Sequence, residues 1–205
     1  MSMATLVTLE IGGPPGPWRD LGLTLHDDGI IAFGNGALRL VDAPPGIAGW
    51  TLAGVPAGLT HVDGLPTRGG AGGARPAVEH PLGAFALDHV VVLSSCLERT
   101  CDAVATATGA PLKRVREAGP MRQGFHRLGP GGVILEVVER PELTGDSATF
   151  WGFVLNVHDL DAAAERLGPA RVGRIKDAVQ PGRRIATVRP EVGLGLAVAL
   201  MSPPG

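Results

Sequence analysis

Apolar and polar positions change period along this chain, and the changes mark out strands and helices. From Leu87 the run LDHVVVL is nearly continuous in apolar residues, and VILEVVE closes the same stretch at Glu139. Short runs rich in Val, Leu and Ile predict buried strands, whereas the recurrence of Leu97, Cys101, Val104 and Thr108 predicts a helix with one buried stripe. The spacing Ser95-x-x-Glu98 predicts a reciprocal capping box at the helix start, and Gly109 a left-handed stop. Two polar segments, KRVRE and RQGFHRL, lie between helix and closing strand. The order returns from Trp151: strand WGFVLNV, helix LDAAAERLG with Asp159 as its N-cap and Gly168-Pro169 as its end, then strands in GRRIATVRPEVGLGLAVALM. The N-terminal stretch imitates it with TLVTLEI, a short helix around Trp18 to Leu21, and strands around Leu23, Ile31 and Leu38. There LRLVDAPP matches LEVVERPE through the proline, with Arg39 at the place of Glu136. The apolar run GWTLAGV is placed to begin a fourth, decayed copy.

Alternation within the strands sorts their side chains onto two faces. Val90, Val92, Val133, Leu135, Val137 and Phe125 fall on the helix side, and His89, Val91, Ile134, Glu136 and Val138 on the opposite, concave face. A histidine and a carboxylate inside apolar strands cost free energy unless each is satisfied by a hydrogen bond, an ion partner or a metal. Their shared parity places them in one cavity. If Val115 and Phe125 face the helix, the concave face also receives Arg114, Arg116, Arg122 and His126; a slip of one residue reverses that assignment. Asn156 is a further polar intrusion in an apolar strand. The loop QPGRR brings Arg183 and Arg184 to a strand entrance where only one can turn inward, and Arg184 is expected to grip a carboxylate or phosphate there.

Residues 58–84 are rich in Gly and Pro and read as a connection between a shortened N-terminal module at 1–57 and a larger domain at 85–202. His61 and His80 beside it are expected to face water. A formal charge of −2 and a pI near 6.3, with no basic stripe, argue against nucleic-acid binding. No apolar run approaches the roughly twenty residues of a membrane span, and the N-terminus has no basic start, so a cytoplasmic protein with no membrane partner is expected. Cys96 and Cys101 have neither redox nor zinc-site spacing and read as reduced thiols. Tyrosine is absent, which removes a phenol as acid, base or nucleophile.

HVVV with its histidine, the helix directly after it, and LEVVE with its glutamate together resemble one βαβββ module of the vicinal oxygen chelate superfamily. That group includes glyoxalases, extradiol dioxygenases and bleomycin- and fosfomycin-resistance proteins. The resemblance implies an α+β fold of paired βαβββ modules, a cupped mixed sheet with helices outside, plus the shortened N-terminal copy. It implies a glyoxalase-like small-molecule enzyme of lyase, isomerase or dioxygenase type, with His89 and Glu136 as catalytic residues and as ligands of one divalent metal (iron, manganese, nickel or zinc). The remaining positions on the metal would be filled by water, by substrate or by a third side chain such as His126. Arg114, Arg116, Arg122, His126, Asn156 and Arg184 would bind a small anionic or aromatic substrate. The pattern breaks in the last module, where Gly152 falls near the place of His89 and Ala197 at the place of Glu136. Gly152, Gly195, Ala197 and Ala199 leave room there instead. The alternative implied is a metal-free small-molecule-binding or drug-sequestering protein in which His89 pairs with Glu136 directly. An odd number of copies would leave a sheet edge open, so a homodimer is expected.

Overall fold

The structure, a computed structural model, describes residues 3–71, 76–119 and 121–203. The N-terminal elements are β1 (Thr5–Gly12), α1 (Gly16–Asp20), β2 (Ile30–Phe33), β3 (Gly36–Val41), β4 (Gly46–Ala53), β5 (His61–Val62) and β6 (Leu65–Gly69). They form a mixed sheet in the order β2-β3-β1-β4-β6-β5. After them come β7 (Ala84–Ser94), α2 (Leu97–Thr108), β8 (Leu112–Ala118), β9 (Met121–Arg127), β10 (Ile134–Glu139), β11 (Thr149–Val157), α3 (Leu160–Leu167), β12 (Lys176–Asp177), β13 (Arg184–Thr187) and β14 (Ala197–Met201). These strands make a second sheet, β12-β13-β14-β11-β7-β10-β9-β8.

Parallel strands need a long crossover. α2 carries the chain from β7 to β8 at the sheet edge, and β9 and β10 return so that β10 lies parallel to β7; α3 lies between the parallel pair β11 and β14, and β7 and β11 meet antiparallel at the centre. The first sheet repeats this plan without its outermost strands, with β1 parallel to β3, β4 parallel to β6, and β1 antiparallel to β4. The chain therefore holds four units in two pairs. The odd copy that motivated a homodimer finds its partner inside the chain. β5 and β6 lie within the segment expected to be a connection, and no strand forms at Leu23. The stretch 72–75 of that segment lies outside the described residues.

One hydrophobic cluster draws on both sheets, from Leu6, Leu9 and Trp50 to Val90, Val137, Leu155 and Leu200. Trp18 of α1 stacks on Phe153 of β11 at 6.1 Å, and Trp50 of β4 meets Phe150 edge-on at 5.3 Å. A boundary between 57 and 85 is thus not a boundary of the core. Polar contacts also cross it: Arg99 Nε donates to Asp63 Oδ1 at 2.9 Å, and the Thr100 hydroxyl to Asp63 Oδ2. His80 is buried rather than solvated. Its Nδ1 accepts from the Thr24 amide at 3.0 Å, and its Nε2 lies 3.1 Å from the Ala32 carbonyl.

The helix ends follow the sequence only in part. Gly109 closes α2 at φ 66°, and Asp159 Oδ1 caps α3 by accepting from the Ala162 amide at 3.0 Å. The expected capping box does not form, because Ser95 donates its hydroxyl to the Gly145 carbonyl instead. Glu139 takes over, accepting from the Leu97 amide at 2.9 Å.

Candidate functional site

The centre of the site is made by a β-bulge. Val154 lies opposite His89 while Leu155 lies opposite Leu87, so Asp88 is an extra residue in β7. A bulge lets two neighbouring side chains share a face that strict alternation would separate. Leu87 and Val90 both remain in the core, and Asp88 and His89 between them turn to the concave side. The requirement for two consecutive residues off the core was visible in the sequence, as was the acid beside the histidine.

A line of polar groups crosses the concave face. The Arg183 guanidinium donates to Asp88 Oδ1 at 2.7 Å, to the Ser202 carbonyl at 2.7 Å and to Asn156 Oδ1. His89 Nδ1 donates to Asp88 Oδ2 at 2.8 Å, which turns Nε2 toward Glu136 Oε2, 3.4 Å away. Glu136 Oε1 accepts from Gln123 Nε2 at 2.6 Å, and Gln123 Oε1 accepts from Arg116 Nη1 at 3.0 Å. Burial alone would raise the Asp88 carboxyl, but the hydrogen bonds and charges of His89 and Arg183 outweigh it and hold its pKa at about 2. Burial pushes the Glu136 carboxyl above its ordinary value, against the pull of His89, Arg116 and Gln123. An ionised carboxylate thus fixes one side of the imidazole, and a carboxyl that holds its proton more tightly stands on the other.

The concave parity expected for β7 and β10 is the one observed. β9 is slipped by one. Gly124 faces α2, where an added Cβ would stand 2.7 Å from Cys101 Sγ, so only a residue without a side chain lets the helix sit this close. Gln123 and Phe125 consequently join Glu136 on the concave face, and Arg122 and His126 leave it. Arg122 binds Glu98 at 2.6 Å and Glu139 at 3.2 Å beside the start of α2. His126 is buried on the helix side with Nδ1 at 2.9 Å from the Ala110 carbonyl, and burial lowers its pKa. It cannot be a third ligand. Arg114 and Arg116 do face the cavity, Arg114 over the Phe125 ring at 5.0 Å. Arg183 is the inward arginine of its pair, while Arg184 binds Asp161 at 3.0 Å on the surface. Asn156 holds Arg183 and does not line the cavity.

Two lobes meet at His89, Gln123 and Glu136. One, of about 310 Å³, is walled by Val91, Leu93, Met121, Val138 and Trp151. The other, of about 300 Å³, carries Arg114, Arg116 and Lys176 with Asp177. The strand register fixes which residues of the last unit correspond to these. Leu97 and Leu160 open the helices, and His89 pairs with Ile134 as Gly152 pairs with Ala197, all at one sequence separation. Gly152 therefore stands where His89 stands, as expected, whereas Ala199 rather than Ala197 stands where Glu136 stands. Neither offers a donor atom from a side chain. Among the described residues no three His, Cys, Asp or Glu side chains are grouped to hold a metal. Catalytic metal sites generally use three protein ligands; here His89 Nε2 and Glu136 Oε2 converge beside a Gln123 amide that turns its nitrogen to Glu136 and its oxygen to Arg116, so the donor set as arranged does not suit a resident metal.

No family model and no curated protein matches the chain. Solved structures do match in fold. The methylmalonyl-CoA epimerase from Mycobacterium tuberculosis superposes with a TM-score of 0.51 at 17% identity, covering 60% of this chain and 91% of that one. A single-residue variant of the Streptomyces coelicolor methylmalonyl-CoA epimerase, in complex with 2-nitronate-propionyl-CoA, gives 0.51 at 17% identity, covering 60% and 99%. A selenomethionine methylmalonyl-CoA epimerase gives 0.50 at 14% identity, covering 60% and 97%. No helix among the described residues is long and apolar enough to cross a membrane. Over 60% of its length the chain shares the fold of these structures, which are of the vicinal oxygen chelate, glyoxalase-like kind, and its own two βαβββ units are joined antiparallel through β7 and β11.

Proposed function

We propose that the protein is a small-molecule enzyme of isomerase type that moves a proton at a carbon beside a carboxylate or carbonyl group. The observation that carries this reading is the 3.4 Å approach of His89 Nε2 to Glu136 Oε2 inside the cavity, with Asp88 bound to the far side of the imidazole at 2.8 Å. Asp88 keeps Nδ1 protonated and the ring in place, so Nε2 and Glu136 can exchange a proton with each other or with a substrate between the lobes. A carboxyl raised by burial works as an acid or base nearer neutrality than an exposed one. Arg116 and Arg114 supply positive charge where an enolate or carboxylate oxygen would lie. The name of the neighbouring structures, methylmalonyl-CoA epimerase, belongs to the same reaction class and supports the choice of isomerase over lyase or dioxygenase.

Solvent exchange tests the proposal. A panel of 2-substituted carboxylates and thioesters incubated with the protein in deuterium oxide should include members that take up deuterium at the carbon beside the carbonyl, followed by proton NMR. Exchange should fall at least about a hundredfold in Glu136→Gln and in His89→Ala, the range of general acid–base contributions. The second reading, a binding protein of the same fold, is favoured by the last unit, which has Gly152 and Ala199 at the corresponding places. Ligands that bind with no exchange in the wild type would decide for it.

A further inference from the structure

β11 carries the same device as β7. Phe150 lies opposite Val92 and Gly152 opposite Val91, so Trp151 is an extra residue in the strand. Phe150 and Phe153 keep their places against Trp50 and Trp18 in the core, and Trp151 between them turns to the concave side. By the common register Trp151 occupies the place of Asp88. The second half of the cavity thus repeats the reactive half with the acid, the histidine and the glutamate replaced by Trp151, Gly152 and Ala199.

This replaced half has a definite shape. Gly152 lies so close to β14 that a Cβ would stand 2.1 Å from the Ala197 carbonyl oxygen, so no side chain enters from that position, and small side chains, Ala197 and Ala199, form the wall beside Trp151. Trp151 lines the same lobe while remaining 52% exposed, with Val91, Leu93 and Met121 also in its wall. A large aromatic side chain left half in water at the wall of an apolar lobe offers a face that a ligand entering the lobe would cover.

We propose that this lobe is the specificity pocket of the site and takes a flat apolar group, an aryl or similarly unsaturated ring, lying over Ala197 and Ala199 against Trp151. The substrate class is then an arylated carboxylate whose charged end meets Arg114 and Arg116 and whose reacting carbon lies at His89 and Glu136. The proposal rests on the proton-transfer reading for the position of that carbon, but binding in the lobe can be measured without turnover.

Trp18 and Trp50 are 1% and 0% exposed, so a change in tryptophan emission on adding a cavity ligand reports Trp151. Phenylacetate and 2-naphthoate should bind with such a change, and hexanoate, similar in length and charge to phenylacetate, should bind at least several-fold more weakly. By calorimetry, Trp151→Ala should weaken 2-naphthoate about tenfold, equal to ~1.4 kcal/mol, whereas Trp151→Phe should keep most of the affinity. Because Trp151 is largely exposed, neither variant should unfold the protein. Equal affinity of wild type and Trp151→Ala for 2-naphthoate, equal affinity of wild type for phenylacetate and hexanoate, or no binding of either aryl acid would each overturn the proposal. Loss of deuterium exchange in Glu136→Gln with aryl binding intact supports both readings, and aryl binding with no exchange in any protein removes only the catalytic one.

Discussion

Replacing Asp88 by Ala removes the buried ion pair with Arg183 and the hydrogen bond that holds His89. The Asp88 carboxyl is held at about 2 against an ordinary 3.8, and each pKa unit corresponds to about 1.4 kcal/mol, so its ionised form gains roughly 2 kcal/mol from the fold at neutral pH. Removal also strands Arg183, whose side chain is 9% exposed. Breaking one partner of a buried pair costs about 3–5 kcal/mol. We expect the low end, about 3 kcal/mol, because Arg183 keeps Ser202 and Asn156. Urea unfolding followed by circular dichroism at pH 7 should show a lower midpoint with an unchanged slope. The loss should be non-additive with Arg183→Met, since the double variant leaves no buried charge alone. The acid limb has a definite sign. A carboxyl depressed by folding contributes stability that is present above its unfolded pKa, near 3.8, and is lost as pH falls through about 2; the wild type should show this loss and Asp88→Ala should not. A cost below about 1 kcal/mol, or strict additivity with Arg183→Met, would refute the reasoning, because the pair would then be neither buried nor coupled.

Three further outcomes are expected. Gly124→Ala should destabilise by about 1–3 kcal/mol in thermal unfolding, since the new methyl meets Cys101 Sγ at 2.7 Å and Leu97 Cδ1 at 3.2 Å; a neutral effect would mean that α2 is free to move. Burial lowers the pKa of both His80 and His126, so the unfolded chain binds their protons first and stability should be full above about pH 6.5 and decline as pH falls. Glu136, raised by burial, acts in the opposite direction, so the comparison that counts is the smaller slope of His126→Leu against wild type; identical slopes sink the assignment. Removing residues 1–83 should leave a fragment without a cooperative unfolding transition, because Phe150 and Phe153 lose Trp50 and Trp18; a sharp transition would restore two independent domains.

The residues whose face sequence reasoning placed correctly sit in strands with strong apolar runs. β7 and β10 are rich enough in Val and Leu that only one parity buries them, and His89 and Glu136 followed as the polar exceptions. Arg122 and His126 were misplaced because β9, MRQGFHR, has no such run. Its register is decided by Gly124 beneath α2, a contact between residues far apart in the chain. Gln123 was missed for the same reason. Arg183 and Arg184 are adjacent and chemically alike, and what separates them is the position of Asp88 across the sheet.

The chain's local pattern determined the units themselves: where strand gives way to helix in the larger sheet, that Gly109 ends one helix and Asp159 begins the other, and that His89 and Glu136 stand on one face. Those are properties of neighbours a few residues apart, set by side-chain period and backbone preference. Tertiary structure decided how the units combine. It stacked a shortened pair on the complete pair so that both share one core, it set a bulge at Asp88 and another at Trp151, and it left one half of the cavity polar and the other apolar. The physical reason is that bulge, register and stacking are settled by which arrangement buries Leu87, Val90, Phe150 and Phe153 together. That energy is collected between segments distant in sequence, where no local period can record it.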